Sequence, residues 1–341
     1  GNAYWSSGRY DEAEANYLRA LQIDYNKISA ATLTDYCGNP LPVGNDDKVD
    51  LIGAASPEQR LNMITNITLD IIIHIGSLGD VYHKKQQYRR AEAYYNKTVE
   101  FIHELFGKGA AAEPAATILR NQGANYNEMK QYSDANQCYT EALAIYRKLS
   151  PGDGSIDIDI ANTLNNQGLN YHSMKQCSDA DQCYTEALAI YRKLSPDDDT
   201  VQIANTLNNQ GNNYHCMKQY SNADQCYTEA LAVFRKLSPG DDTVDTAKTL
   251  CNQGSNYSEM EKYSNADQCY TEAFGIFRKL SPRDDSIDIA NTLYNQGANY
   301  VDAGDESKAR EKLRESLCIY KKLDQDNPNI TRIQNYLSKF E

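Results

Sequence analysis

The tripeptide Asn-Gln-Gly occurs five times, at Asn121-Gln122-Gly123, Asn166-Gln167-Gly168, Asn209-Gln210-Gly211, Asn252-Gln253-Gly254 and Asn295-Gln296-Gly297. Its glycines lie 45, 43, 43 and 43 residues apart. A fixed period in this range belongs to stacked supersecondary units, none of which can bury its apolar face alone. The 341 residues would otherwise suggest two or three globular domains. A solenoid grows by addition and needs no central core, so the repeat overrides that estimate. The triplet also places a polar amide at one fixed site in every unit.

Each unit reads as two helices. In residues 159–194, Ile160, Leu164, Gly168 and Tyr171 recur at helical spacing. Lys175-Gln176-Cys177-Ser178 forms the turn, and Ser178 is the expected cap of the second helix, with Asp179 and Asp181 favourable in its first turn. Ala180, Tyr184, Ala187, Leu188 and Tyr191 make one stripe. Arg192-Lys193-Leu194 suits a helix C-terminus, and Ser195-Pro196 stops the helix. Asp197-Asp198-Asp199-Thr200 supplies the next start signal.

Gly123, Tyr126, Tyr132, Ala135, Tyr139 and Ala142 form a pattern that resembles the tetratricopeptide repeat. It returns as Gly211, Tyr214, Tyr220, Ala223, Tyr227, Ala230 and as Gly254, Tyr257, Tyr263, Ala266, Tyr270, Ala273, with Cys177 replacing the middle Tyr in another unit. Gly79, Tyr82, Tyr88, Ala91, Tyr95 and the opening Gly1, Tyr4, Tyr10, Ala13, Tyr17, Ala20 fit as well. The last unit, with Gly297, Tyr300, Ala309, Leu313 and Ser316, is looser. The period exceeds the usual 34 residues of this repeat. The longer variety is similar to the repeats of kinesin light chain, through segments such as Leu194-Ser195-Pro196-Asp197-Asp198 and Thr206-Leu207-Asn208-Asn209. The resemblance implies an all-α, right-handed superhelical solenoid of antiparallel helix pairs.

The expected organisation follows from these matches. Residues 1–30 are the second part of a truncated repeat, as expected if the chain, which begins Gly1-Asn2-Ala3 without Met, is a piece of a longer protein. Residues 31–56 are an irregular insertion rich in turn formers, and a helix opening at Ser56-Pro57 runs to about Lys84. Repeats occupy residues 57–110, 111–152, 153–197, 198–240, 241–283 and 284–326. Residues 327–341 form a capping helix, with Ile330, Ile333, Leu337 and Phe340 covering the last repeat.

In tetratricopeptide repeat proteins the first helices line the concave surface. On that resemblance Asn121, Asn166, Asn209, Asn252 and Asn295 are groove candidates, joined one turn earlier by Asn162, Asn205, Lys248 and Asn291. A carboxamide donates to a carbonyl and accepts from an N–H at once, so a column of them suits an extended peptide backbone. Kinesin light chain grooves carry basic residues at such sites. Here they are mostly Asn, with Lys248 nearly alone and Glu128, Glu259 and Asp302 at the rim, so a neutral or basic segment is the expected ligand.

Gln122, Gln167, Gln210, Gln253 and Gln296, with Asn125, Asn170, Asn213, Asn256 and Asn299 three residues on, point instead toward the neighbouring repeat. A buried amide without a partner costs about 1–3 kcal/mol, so these are expected to bond across adjacent first helices as a ladder.

The net charge of −13 and pI ≈ 4.9 argue against nucleic acid or an anionic membrane as the main partner. The most apolar stretch, Leu69 to Ile75, is too short to span a bilayer. No secretory signal is evident, and Cys138, Cys183, Cys226 and Cys269 recur once per repeat as small buried hydrophobes of a reducing compartment, so the chain is expected to be cytoplasmic. His172, His215, Cys177 and Cys216 lack metal-motif spacing, and no nucleophile, phosphate-binding or metalloprotease motif occurs. No metal, cofactor or enzymatic activity is expected. The reading is a scaffold binding an extended peptide along an Asn-lined groove. The alternative is a spacer or oligomerisation array of a larger multidomain protein.

Overall fold

Each period folds as two α-helices joined by a short turn, in a computed structural model that describes residues 9–19, 72–106, 113–150, 154–196, 199–239, 243–281, 285–324 and 326–340. The expected insertion at residues 31–56 lies outside the described residues. The described chain divides into two compact units, Gly1–Asn166 and Gln167–Glu341. In the first, residues 10–19 and 72–84 are helical, followed by helices Tyr88–Phe106, Glu113–Glu128 and Tyr132–Leu149 and the start of Gly154–Ser173. In the second, the end of that helix leads to Cys177–Leu194. Three pairs follow: Val201–Cys216 with Tyr220–Leu237, Val244–Glu259 with Tyr263–Leu280, and Ile287–Asp302 with Glu306–Leu323. The last helix is Pro328–Leu337. No strand occurs among the described residues.

Close approach within a pair depends on the repeated glycine. A Cβ added at Gly211 would sit 2.6 Å from the ring of Tyr227, and one at Gly168 the same distance from Tyr184. Both rings are buried, so neither can yield without opening a void. The alanine stripe closes the remaining gap: Ala223, Ala230, Ala266 and Ala273 have no exposed surface.

The first helices start where the sequence signals them. The N–H groups of Ile203, Thr246 and Ile289 donate to the hydroxyls of Thr200, Thr243 and Ser286, at 3.3, 3.2 and 3.2 Å. The second helices differ from expectation. Ser178 lies inside its helix; the N-cap is Gln176, which makes no side-chain capping bond. The turn explains this. Lys175 adopts φ 60°, and the Gln176 N–H bonds back to the Tyr171 carbonyl at 2.9 Å, closing the first helix in a Schellman-type turn. The chain is then already aimed into the second helix, which begins at Cys177.

The glutamine column is buried and inter-repeat, but its partners are not adjacent first helices. Gln210, Gln253 and Gln296 donate to Asp181, Asp224 and Asp267 at 2.8, 2.9 and 2.7 Å. They donate also to Thr185, Thr228 and Thr271 at 3.2, 3.0 and 3.0 Å. These acceptors stand one helical turn apart on the second helix of the preceding repeat, a fork that no neighbouring first helix offers. The recurring cysteines lie on the other side of the same amides: the Cys226 and Cys269 thiols donate to Gln210 and Gln253 at 3.9 and 3.8 Å. The asparagine column does reach the preceding first helix. Asn256 accepts at Oδ1 opposite His215 Nδ1 at 3.1 Å, and Asn299 accepts from the Ser258 hydroxyl at 3.1 Å. Their Nδ2 groups donate to the Tyr220 and Tyr263 carbonyls at 2.9 and 3.0 Å.

Candidate functional site

The glutamines and the second asparagine column are committed to repeat junctions, and of the amides two residues before each glycine Asn121 and Asn252 bond back to Asp80 and Asn208 of the preceding first helix. All five are partly buried. In the second unit the structure brings four sequence-predicted residues together. Lys248, Asn252, Asn291 and Asn295 line one cleft of about 480 Å³. Asn205 and Asn209 are partly buried and lie outside that cleft.

Among the other residues that line it, Asn208, Asp288, Asn329 and Arg332 were not singled out from the sequence, and Cys251, Phe277, Thr292 and Tyr294 add an apolar side. Asn208 holds Asn252 by accepting from its Nδ2 at 3.0 Å. Asn329 donates at 2.9 Å to the Tyr320 hydroxyl, which in turn donates to Asn291 Oδ1. The cleft thus has amides preset by side-chain bonds, with Lys248, Arg332 and Asp288 as its charges. The doubled Asn208-Asn209 in the repeat was a visible signal; nothing in the sequence placed Arg332, which comes from the last helix, on the same cleft as Lys248.

In the first unit, Asn121 lines a separate cleft of about 260 Å³ with Asp80, Glu113 and Thr117 among apolar residues such as Ile72 and Ile118. Asp80 accepts from Tyr95 Oη at 2.7 Å and from Asn121 Nδ2 at 2.9 Å. Burial nevertheless raises its carboxyl above the ordinary carboxylate range, the two hydrogen bonds opposing only in part. Thr117 is held by the Tyr146 hydroxyl at 2.9 Å. Asn162 and Asn166, also in this unit, are partly buried and do not line that cleft.

The rim candidates have junction roles. Glu259 accepts from the Tyr220 hydroxyl across a repeat boundary, and the Glu128 charge adds to the burial that raises the Tyr88 hydroxyl. Among the described residues no helix is long and apolar enough to cross a membrane.

Residues 70–148, 202–279 and 245–322 match the tetratricopeptide repeat family, and residues 1–27 and 160–200 match two further descriptions of the same repeat. These describe a repeat, with no catalytic family among them. No curated protein matches the chain. Solved structures share the fold. BtubC (BKLC) from P. vanneervenii is 21% identical with a TM-score of 0.59, over 71% of this chain and 94% of that one. The apo form of RapI is 16% identical with a TM-score of 0.54, over 78% and 94%. A putative kinesin light chain from Podosopora anserina, with nearly identical TPR-like repeats, is 12% identical with a TM-score of 0.52, over 62% and 97%.

Proposed function

The chain belongs to the tetratricopeptide repeat family, and from that premise we propose that it is a non-catalytic interaction module holding extended segments of a partner protein on the amide-bearing faces of its first helices. The observation that supports this is the convergence of Lys248, Asn252, Asn291 and Asn295, from two consecutive first helices, on one cleft. Packed helices stand about 8–10 Å apart. An extended chain rises about 3.3 Å per residue, so neighbouring repeats address positions about three residues apart in a bound strand. Amides at that interval can engage backbone N–H and C=O groups largely without regard to side chains.

Charge refines the ligand within each unit. The cleft of the first unit offers Asp80 and Glu113 and suits a basic side chain. The cleft of the second, with Lys248, Arg332 and Asp288, suits a neutral or mixed segment. A reducing, cytoplasmic setting belongs to the same reading.

The test is binding of a randomised extended-peptide library to the whole chain and to an Asn252→Ala/Asn295→Ala variant. Selected peptides are expected to lose affinity by about tenfold or more, roughly 1.4 kcal/mol. The thermal midpoint should hold, since neither residue is in the core. Undiminished binding by the variant would sink the groove. A chain that selects no peptide but dimerises by light scattering would assign the array to assembly instead.

A further inference from the structure

Within the second unit two positions of the repeat meet at successive junctions: the residue that opens the second helix, and the residue five after the glycine of the next repeat. At two junctions along the chain they are Tyr and Glu. Tyr220 Oη donates to Glu259 at 3.3 Å, and burial together with the Glu128 charge raises the Tyr88 hydroxyl. At one junction within the second unit both are replaced together, by Cys177 and Cys216. Their sulfurs lie 3.7 Å apart. A histidine flanks this contact. His215 packs against the Tyr220 ring with centroids 5.5 Å apart, and His172, at the equivalent site one repeat earlier, stands beside Cys177 instead. A ring nitrogen of His172 and the two sulfurs all lie within 4.8 Å of one another. The sequence spacing gave no hint of this, because the three residues come from three helices.

We propose that Cys177, Cys216 and His172 form a three-ligand Zn²⁺ site that staples two consecutive repeats. The sulfur separation is the first argument. Two thiolates bound at about 2.3 Å in a tetrahedral site stand about 3.8 Å apart, which is the spacing already present. A disulfide would need the sulfurs to close to about 2.05 Å. The second argument is the state of the imidazole. Asn213 Nδ2 donates to the Cys177 carbonyl at 2.8 Å, which turns its Oδ1 toward His172 Nδ1, 3.3 Å away. An amide oxygen only accepts, so Nδ1 carries the proton of the neutral ring and Nε2 keeps its lone pair. A ring oriented by an acceptor on its other nitrogen is the usual outer support of a metal-binding histidine. The third is access. His172 and Cys177 are partly buried and Cys216 is exposed, which leaves a path for the ion and an open fourth position for water.

The experiment titrates Zn²⁺ into the reduced whole chain against a chromophoric chelator, with Co²⁺ as a spectroscopic probe of thiolate coordination. One equivalent is expected to bind, with a thiolate-to-cobalt charge-transfer band and a raised thermal midpoint. Cys177→Ser and Cys216→Ser should each abolish the band, and His172→Gln should weaken Zn²⁺ binding by about tenfold or more. Serine at 216 suits the apo fold, since Ser173 already occupies the equivalent site; circular dichroism checks that both variants keep it. No uptake by the reduced chain overturns the site, as does uptake unchanged in Cys177→Ser. A Cys177–Cys216 disulfide that forms in air, in a chain that takes up no Zn²⁺ when reduced, overturns it equally.

Discussion

Gln253 reaches back across a repeat boundary to donate to Asp224 Oδ1 at 2.9 Å, from a site only 6% exposed. The same carboxylate helps burial raise the Tyr257 hydroxyl, so one acidic group bears on two side chains of the following first helix. Asp224→Ala removes the Gln253 acceptor and leaves a buried amide short of one partner, a cost of about 1–3 kcal/mol. Asp224→Asn keeps an acceptor oxygen and should cost less than about 1 kcal/mol. Urea unfolding at neutral pH separates the two; equal losses would show that the contact is not what holds the junction.

Lys218 adopts φ 59°, and Gln86, Lys130, Lys175 and Glu261 do likewise at the equivalent turn. A side chain in this left-handed region costs about 1–2 kcal/mol. Glycine avoids that penalty but loses about 0.5–1 kcal/mol more backbone entropy on folding. Lys218→Gly is therefore expected to stabilise by up to about 1 kcal/mol. The last repeat has Gly304, φ 79°, at the same position. A lowered thermal midpoint for Lys218→Gly would contradict this reading of the turn.

That turn shows where the sequence was legible and where it was not. The glycine-to-tyrosine spacing, as in Gly211 and Tyr227, reports a contact inside one helix pair, so the all-α class and the pairing follow from it. The left-handed turn was hidden because lysine usually marks an exposed helical residue, and only Gly304 betrayed it. The junction bonds were half legible. Buried polarity required that Gln253 find a partner, but its identity depended on which neighbouring helix the amide faced. The two Asn columns share a residue type but not a helical angle, and position alone assigned the later one to the neighbouring repeat, where Asn256 is locked to the Tyr220 carbonyl while Asn252 lines a cleft. The two stand four residues apart, about 40° of helical rotation, and no residue type encodes that difference.

Alkali should loosen the array before it affects most proteins of this charge. Burial raises the Cys226 thiol from 9.0 to about 11 and the Cys269 thiol to about 12. It also raises the Tyr257 hydroxyl from 10.0 to about 12, with Asp224 adding to the shift. Each folded value lies above the unfolded one, so the stability these groups contribute is full below pH 9 and is lost as pH rises through about 11–12. Thermal midpoints should be level to about pH 9 and fall beyond it. Cys226→Ala, which removes one of these ionisations, should flatten the fall; an identical profile for wild type and variant would refute the assignment.

Asp80 carries the opposite lesson, a group whose placement costs stability. Its carboxyl is raised by burial despite the bonds from Tyr95 and Asn121. A raised carboxylate is most comfortable below its unfolded value of 3.8, and that contribution is lost as pH climbs through the folded value. Above that range the carboxyl must give up a proton that burial favours it keeping, which weakens the fold. Asp80→Asn keeps an acceptor for Tyr95, and Asn121 can turn its amide to match. The variant should melt at a higher temperature than wild type at pH 7, and the gap should narrow as the pH falls and Asp80 takes up its proton. Stability lost at a cleft is commonly retained for binding. If the cleft shared with Glu113 receives a basic side chain, Asp80→Asn should weaken that ligand while raising the melting temperature. A variant that melts lower at pH 7 would show that the two hydrogen bonds outweigh the burial.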